Sequence, residues 1–325
     1  MAAPSDDTVI SDMHFLERNE MYETEKPYSL RFPPNGMPEF PQSNVKRDKH
    51  QIQLRSMREA TNLNVDTCGF ELLHSPCTIS YQDFEDRKKI QDIYLTDLCG
   101  DLKTALKANL VIPLDFSVRR RHESFPISTG KNYGHDQPTA MAHIDFTVHE
   151  GERMIRILFG QAANEVLQGR WQVMNAWRPI RGPLNDWPLG LCDTRTVDFA
   201  TDTMPGDIVF RKFVTENLQI HHNPRQAWYW LPGQTVDEVL IFKSAESDPA
   251  RAQGMQVGHI QSSFISVDKQ IAVPHAGFFN PNVTPDDLPR ESIDCRLLVC
   301  YAELDQFPPV VGSILGNHSH EQRGM

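Results

Sequence analysis

The sequence has little that points to a membrane or secreted protein. It contains no run of about eighteen apolar residues, the length that a membrane-spanning helix needs. Its first residues include neither the basic nor the apolar segment of a secretory signal, and its six cysteines form no Cys-x-x-Cys pair. The cysteines are therefore expected to be reduced thiols. A cytoplasmic protein without a membrane partner is predicted.

Positive charge is also scarce. Lys and Arg number 32 against 43 Asp and Glu, which gives a formal net charge of −11. Because neutralising phosphates needs a basic surface, no nucleic-acid partner is expected. A chain of 325 residues can bury a large core without disulfides, and we expect a single domain over residues 1–325. The composition is compatible with a homodimer.

Proline, glycine and hydrophobic spacing divide the chain into segments. Residues 1–50 are polar and rich in proline, which predicts an extended N-terminal arm without long regular elements. Apolar residues at helical spacing predict helices over 83–109 and 150–167. Short β-prone runs with Pro and Gly turns fill most of 110–303, and a polar, loose tail covers 312–325. This order predicts a mainly β fold with flanking helices, of the jelly-roll type.

A His-x-Asp pair lies in one of the β-prone runs. On a strand, His143 and Asp145 point to the same face, where an imidazole and a carboxylate can bind one metal ion. A single such pair is more often structural than functional. In a jelly roll, His275 of a distant strand can become the third ligand. Two histidines and one carboxylate form a facial triad that leaves positions on Fe(II) open for a co-substrate and O2.

A second polar pair follows His275 at the start of a strand. Arg290 and Ser292 share a face, and a guanidinium with a neighbouring hydroxyl suits the distal carboxylate of 2-oxoglutarate. Arg296 lies on the same face and is the alternative partner for that carboxylate. Three arginines at 119–121 are most simply solvated or paired, although one of them could face an anionic substrate.

Another strand carries candidate cavity residues. Asn175 and Trp177 share one face, and both are predicted to line the cavity. Arg178 would point the other way on a regular strand, unless Pro179 bends it. Tyr229 could reach the co-substrate or the substrate through its hydroxyl. Each of these residues could instead belong to an ordinary core or a salt bridge.

Taken together, these segments resemble a known family, the Fe(II)/2-oxoglutarate-dependent oxygenases. Within that family, the chain is most similar to the asaB-type hydroxylase/desaturase group, which includes CmcJ-like and gibberellin desaturase-like enzymes. The matching segments fall between residues 110 and 303, and they are 142–145, 174–183, 188–193, 228–243, 274–278 and 290–296.

The resemblance implies a double-stranded β-helix and an oxidoreductase that uses Fe(II), 2-oxoglutarate and O2. It implies that His143, Asp145 and His275 bind the iron, and that Arg290 and Ser292 bind 2-oxoglutarate. The expected reaction is oxidation of a C–H bond in a small secondary metabolite, by hydroxylation, desaturation, ring formation or epoxidation.

Two other functions remain open from the residues alone. One is a cupin-like jelly roll that binds a ligand without catalysis, and the other is a Zn-dependent hydrolase that uses the same ligands. His221 and His222 precede an Asn-Pro turn, where no strand aims their side chains. We therefore expect neither histidine to bind the metal.

Overall fold

The computed structural model describes residues 7–34, 41–126, 133–248, 272–304 and 306–310. The predicted tail, 312–325, lies outside these residues. Within the described ranges, no helix is long and apolar enough to cross a membrane. All six cysteines are free, and four of them are buried.

The described residues contain fourteen strands. In chain order they are β1 (Val9–Leu16), β2 (Tyr28–Leu30), β3 (Arg47–Ser56), β4 (Phe70–His74), β5 (Leu110–Arg120), β6 (His143–Ile144), β7 (Trp171–Pro179), β8 (Leu189–Cys192), β9 (Thr203–Val209), β10 (Val214–Ile220), β11 (Trp228–Trp230), β12 (Glu238–Glu246), β13 (His275–Gly277) and β14 (Glu291–Cys300).

Two sheets contain all of these strands. The larger sheet has nine strands in the order β1-β3-β11-β8-β13-β6-β10-β9-β2, and the smaller has five in the order β4-β12-β7-β14-β5. Strands that are distant in sequence are therefore neighbours in space, as a jelly roll requires. The chain is mainly β with flanking helices, as predicted.

The helices lie between the strands. They are α1 (Arg87–Lys89), α2 (Leu95–Leu106), α3 (Val148–Phe159), α4 (Ala163–Leu167) and α5 (Phe199–Asp202). The helix predicted over 83–109 is present, but it begins at Arg87, and a π-helical turn over Ile90–Tyr94 interrupts it. The second predicted helix is divided at Gly160, whose φ of 55° lies in the left-handed region that favours glycine.

The N-terminal arm differs from the prediction. β1 lies within residues 1–50 and pairs antiparallel with β3, which begins at Arg47 and runs past residue 50. β2 also lies within this segment and pairs with β9. The alternating apolar residues Val9, Met13 and Phe15 are buried, because β1 contributes them to a core shared with the larger sheet. Among the described residues of this segment, Pro27, Pro33, Pro34 and Pro41 lie outside the strands, so they do not interrupt the pairing.

The two faces of the smaller sheet have different roles. On β14, Ile293, Cys295 and Leu297 face outwards into a core that includes residues of α2. The residues that alternate with them along β14, such as Ser292 and Arg296, point to the opposite face. That inner face is turned towards the larger sheet, and polar side chains from both sheets meet there.

Candidate metal centre

The three predicted metal ligands come together, with His143 on β6, Asp145 directly after β6 and His275 on the neighbouring β13. β6 and β13 pair antiparallel, and His143 is directly opposite His275. The Nε2 atom of His143 lies 3.4 Å from Oδ1 of Asp145, and Nε2 of His275 lies 3.7 Å from Oδ2. One ligand atom from each residue lies within 4.8 Å of the others. The structure therefore brings together the predicted two-histidine, one-carboxylate set.

The backbone fixes the orientation of both imidazole rings. Nδ1 of His143 is 2.8 Å from the carbonyl oxygen of Met141, and Nδ1 of His275 is 3.1 Å from that of Val273. A carbonyl oxygen can only accept a hydrogen bond, so each Nδ1 carries the proton. Each Nε2 is then left with a free lone pair that faces Asp145, which is the arrangement a metal-binding histidine needs.

The electrostatics of the cluster also suit a cation. Burial and the neighbouring His143 lower the pKa of His275 to about 4, so its imidazole is neutral at physiological pH. Burial opposes ionisation of Asp145, but His143, His275 and Arg296 together hold its pKa well below the usual value. Two neutral imidazoles and one carboxylate are the donor set of a facial triad that binds Fe(II). The residues present therefore fit the predicted iron.

Arg290 is a buried cation between the two sheets, next to Gly277, which follows His275 by two residues on β13. Its side chain donates from Nη1 to the carbonyl of Trp187 at 2.8 Å and from Nε to the Ser292 hydroxyl at 3.3 Å. Among the described residues, no carboxylate lies within ion-pair distance of its guanidinium. Burial, with Arg119 nearby, lowers the pKa of Arg290 to about 9, so it remains a cation at neutral pH. Such a group calls for an anionic ligand.

Space for this guanidinium depends on a glycine and an aromatic ring. A Cβ atom at Gly277 would lie 2.9 Å from Nη1 of Arg290, so glycine allows the close approach. On another side, the Arg290 guanidinium carbon lies 4.9 Å from the centre of the Trp177 ring. This cation–π contact packs the guanidinium against the Trp177 ring of β7.

Arg296, the alternative carboxylate partner, already has a counter-ion. Its Nε donates to Oδ1 of Asp115 at 2.6 Å, and its Nη2 donates to Oδ2 of the same carboxylate. This bidentate pair raises the pKa of Arg296 despite its burial. Arg296 therefore reaches the inner face of β14, as predicted, but its guanidinium is already paired with the Asp115 carboxylate.

The β7 residues divide between the two faces of the strand. Asn175 donates from Nδ2 to Oδ2 of Asp145 at 2.5 Å, and Trp177 contacts Arg290, so both lie at the cavity. Arg178 points the other way, where Nη1 donates to the carbonyls of Ser75 and Val236. The structure thus does not bring Arg178 to the site, because β7 runs regularly through Pro179 and the proline does not turn Arg178 inwards.

The remaining candidates lie farther from the metal ligands. Tyr229 is partly buried, with its ring 5.9 Å from that of Phe70, and no contact with the three ligands is seen among the described residues. The Nδ1 atom of His221 is 2.8 Å from the carbonyl of Leu16, and His222 stacks on His50 at 3.8 Å between ring centres. Neither histidine belongs to the metal cluster.

Asp294 was not singled out from the sequence, although it lies on the inner face. It stands between Ser292 and Arg296 at the same two-residue spacing, which was the available signal. Its Oδ2 lies 3.5 Å from Nη2 of Arg119, and its side chain is 20% exposed. Burial raises the pKa of Asp294. Arg119 is thus the member of the 119–121 run that reaches Asp294 on the inner face.

A separate groove lies behind Arg290. It has a volume of about 650 Å³, and its lining includes Phe125, Trp187 and Phe279 but none of the three metal ligands. Trp187 belongs to both regions, because its carbonyl accepts from Arg290 while its ring lies in the groove. Its φ of 47° is unusual for a bulky residue.

The fold and the cluster together define a jelly-roll metalloprotein of the two-histidine, one-carboxylate type. The chain belongs to the family described as an oxidoreductase/YMDC permease-like domain, whose model matches residues 13–300.

Similar proteins are fungal oxygenases. The alpha-ketoglutarate-dependent dioxygenase tstK of Talaromyces stipitatus is 25% identical over 72% of this chain and 78% of its own length. The hydroxylase/desaturase efuI of Hormonema carpetanum is 27% identical over 75% of this chain and 80% of its own.

A solved structure of the iron and alpha-ketoglutarate-dependent endoperoxidase NvfI superposes with a TM-score of 0.74 at 25% identity, covering 91% of this chain and 98% of that one. The resemblance to Fe(II)/2-oxoglutarate-dependent oxygenases and the predicted double-stranded β-helix are thereby confirmed.

Proposed function

We propose that this chain is a non-haem Fe(II)/2-oxoglutarate-dependent oxygenase that oxidises a C–H bond of a small secondary metabolite. The observation that carries the proposal is the presence, between the same two sheets, of a facial-triad cluster and a buried arginine that has no carboxylate partner among the described residues. A metal site alone would suit a hydrolase or a binding protein equally well. The added cation selects a co-substrate that carries a carboxylate.

His143, Asp145 and His275 would hold the iron through two imidazole Nε2 atoms and one carboxylate oxygen. When bound, Fe(II) supplies, with 2-oxoglutarate and O2, the oxidising chemistry that the side chains of a protein lack. The protein supplies the geometry. The backbone acceptors on both Nδ1 atoms keep the rings aimed at one point, which reduces the reorganisation needed on binding.

Arg290 and Ser292 would bind the distal carboxylate of 2-oxoglutarate. A guanidinium has five N–H groups, and the two bonds to Trp187 and Ser292 leave others for a ligand. Trp177 covers one face of the guanidinium and excludes water from it. A charge-assisted bond in such a partly dry site is stronger than the same bond in water.

The reaction outcome depends on where the substrate carbon lies in the cavity. Relatives named as a dioxygenase, a hydroxylase/desaturase and an endoperoxidase share this scaffold, so hydroxylation, desaturation and ring formation are all compatible with it. Asp294 and Arg119, which face the cavity as a loosely contacting pair, offer one acceptor and one donor group to a polar substrate.

Turnover of 2-oxoglutarate tests this function. Protein supplied with Fe(II), 2-oxoglutarate, ascorbate and air should form succinate, and a panel of small metabolites should include compounds that accelerate it. Asp145→Ala is the matched control and should form none. Succinate formation at equal rates in both proteins, or in neither across the panel, would contradict the proposal.

A further inference from the structure

Asn175 makes an unusually direct contact with the metal centre. It lies on β7 in the smaller sheet, whereas the metal ligands belong to the larger sheet, and it is fully buried. Its Nδ2 donates to Oδ2 of Asp145 at 2.5 Å. Its Oδ1 is 2.5 Å from the hydroxyl of Ser244, which is also fully buried on β12. A chain of two hydrogen bonds thus connects the smaller sheet to the carboxylate.

The donor and acceptor in each of these two hydrogen bonds follow from the chemistry of Asp145 and Ser244. A carboxylate that serves as a metal ligand can only accept hydrogen bonds, so the amide turns its NH2 group towards Asp145. The amide oxygen then faces Ser244, whose hydroxyl must donate. The flipped amide would place its oxygen against the Asp145 oxygen, two acceptors together, whereas the Ser244 hydroxyl can accept as well as donate. Asp145 therefore sets the orientation of the Asn175 amide, and the bond from Ser244 holds the amide oxygen in place.

We propose that Asn175, held in place by the bond from Ser244, is a positioning residue that binds one oxygen of Asp145 and leaves the other for the metal. The inference rests on the proposed iron site and assigns Asn175 a role in it. A carboxylate turns about a broad torsion and can bind a metal through one or both oxygens. With Oδ2 held by the amide, Oδ1, which lies 3.4 Å from Nε2 of His143, is the oxygen left free.

The consequence concerns the open positions of the metal. A carboxylate that binds through both oxygens takes a position that a chelating co-substrate needs. The hydrogen bond from Asn175 keeps one oxygen of Asp145 from binding the metal. It also limits rotation of the Asp145 carboxylate before the metal binds. Residues that hydrogen-bond to metal ligands in this way typically change metal affinity by roughly 10- to 100-fold when they are removed.

Co(II) serves as the test probe because its visible absorption reports coordination without turnover. Wild type, Asn175→Ala and Ser244→Ala are titrated with Co(II) under anaerobic conditions, with circular dichroism of each variant as a check on folding. Asn175→Ala should raise the Kd for Co(II) by roughly 10- to 100-fold and change the shape of the visible spectrum. Ser244→Ala should change the Kd and the spectrum in the same direction, but to a smaller extent.

Two further variants separate positioning from packing. Asn280 is 2% exposed and donates to the carbonyl of Asn185, remote from the metal ligands, so Asn280→Ala controls for the loss of a buried amide. It should leave the Co(II) spectrum unchanged. If Asn175→Ala fails to fold, the double variant Asn175→Leu with Ser244→Ala keeps the side-chain volume at position 175 and leaves no orphaned polar atom between the two positions.

The outcomes distinguish the inference from the proposed function. If wild type binds Co(II), Asp145→Ala does not, and the folded Asn175 variants match wild type in Kd and spectrum, the positioning role is overturned while the metal site stands. If wild type fails to bind Co(II), or Asp145→Ala binds it as wild type does, both are overturned. Weakened binding with an altered spectrum in the Asn175 variants alone supports the inference.

Discussion

His143 and His275 stand directly opposite each other on adjacent antiparallel strands, with ring centres 4.4 Å apart. This register aims two imidazoles at Asp145, and a shift of one residue would turn one ring to the opposite face of the sheet. The metal centre is therefore a property of strand pairing in the larger sheet. The variants below ask whether the ligands, the anion site and the supporting pairs behave as this geometry requires.

Replacing a metal ligand should abolish metal binding and spare the fold. His143→Ala, Asp145→Ala and His275→Ala each leave two ligands, while the surrounding strands keep their backbone pairing. Metal content after reconstitution with Fe(II), together with circular dichroism, measures both effects. His222→Ala is the control and should bind iron normally, because His222 stacks on His50 outside the cluster. Full iron content in His275→Ala would place the third ligand elsewhere.

Loss of Arg290 should weaken 2-oxoglutarate binding strongly. Removing a charge-assisted pair from a partly dry site costs about 2–4 kcal/mol, or roughly thirty- to a thousand-fold in Kd. Arg290→Lys should recover only part of this, because it offers a point charge and no fork. Ser292→Ala should cost about 1 kcal/mol. Calorimetric titration of 2-oxoglutarate into Mn(II)-loaded protein gives these values, and an equal loss for Ser292→Ala and Arg290→Ala would contradict the assignment.

Arg296→Ala should act on stability instead. The change removes the bidentate partner of the Asp115 carboxylate, which is only 9% exposed, and should lower the free energy of unfolding by about 2 kcal/mol. Affinity for 2-oxoglutarate should stay at the wild-type value, because Asp115 already fills the guanidinium fork. Urea unfolding and the titration described above check the two parts. A large co-substrate defect in Arg296→Ala, with none in Arg290→Ala, would move the anchor to Arg296.

Glu246 should contribute a pH-dependent part of the stability. Burial opposes its ionisation, but bonds from Arg170 and Gln172 and the charge of Lys243 lower its pKa below the usual 4.5. A depressed folded pKa gives stability that is present above the unfolded pKa and is lost as pH falls through the folded value. Glu246→Gln should therefore destabilise the protein by about 2–3 kcal/mol near pH 7 and by less near pH 3.

The control for this pH effect is Glu216→Gln, since Glu216 pairs with Lys26 at a more exposed position. Its effect on the free energy of unfolding should be below about 1 kcal/mol at either pH. Urea unfolding at both pH values provides the comparison. A difference between wild type and Glu246→Gln that does not shrink with acidification would show that the Glu246 carboxylate is not selectively stabilised by folding.

Much of the site could be predicted from local patterns. The two-residue spacing of His143 and Asp145 placed both on one face, and the same rule placed Arg178 on the opposite face of β7 from Asn175 and Trp177. These predictions depend only on alternation along one strand. The fold class followed from short strands with Pro and Gly turns, which are equally local signals.

Contacts between the sheets could not be obtained in this way. The bond from Asn175 to Asp145 depends on how closely the two sheets approach, which no spacing within one strand encodes. The pairing of Arg296 with Asp115 depends on the register of β14 against β5. In the N-terminal arm, the high proline content led to the prediction of no long regular element, and the apolar alternation over β1 was given less weight. The prolines lie outside that strand.

The most direct test of the central claim is a spectrum that needs metal and co-substrate in one cavity. Protein reconstituted with Fe(II) without oxygen should develop a weak visible charge-transfer band when 2-oxoglutarate is added. Asp145→Ala should give no band, and Arg290→Ala should need far more 2-oxoglutarate to reach it. Wild-type protein that binds Fe(II) but shows no band at saturating 2-oxoglutarate would contradict the account.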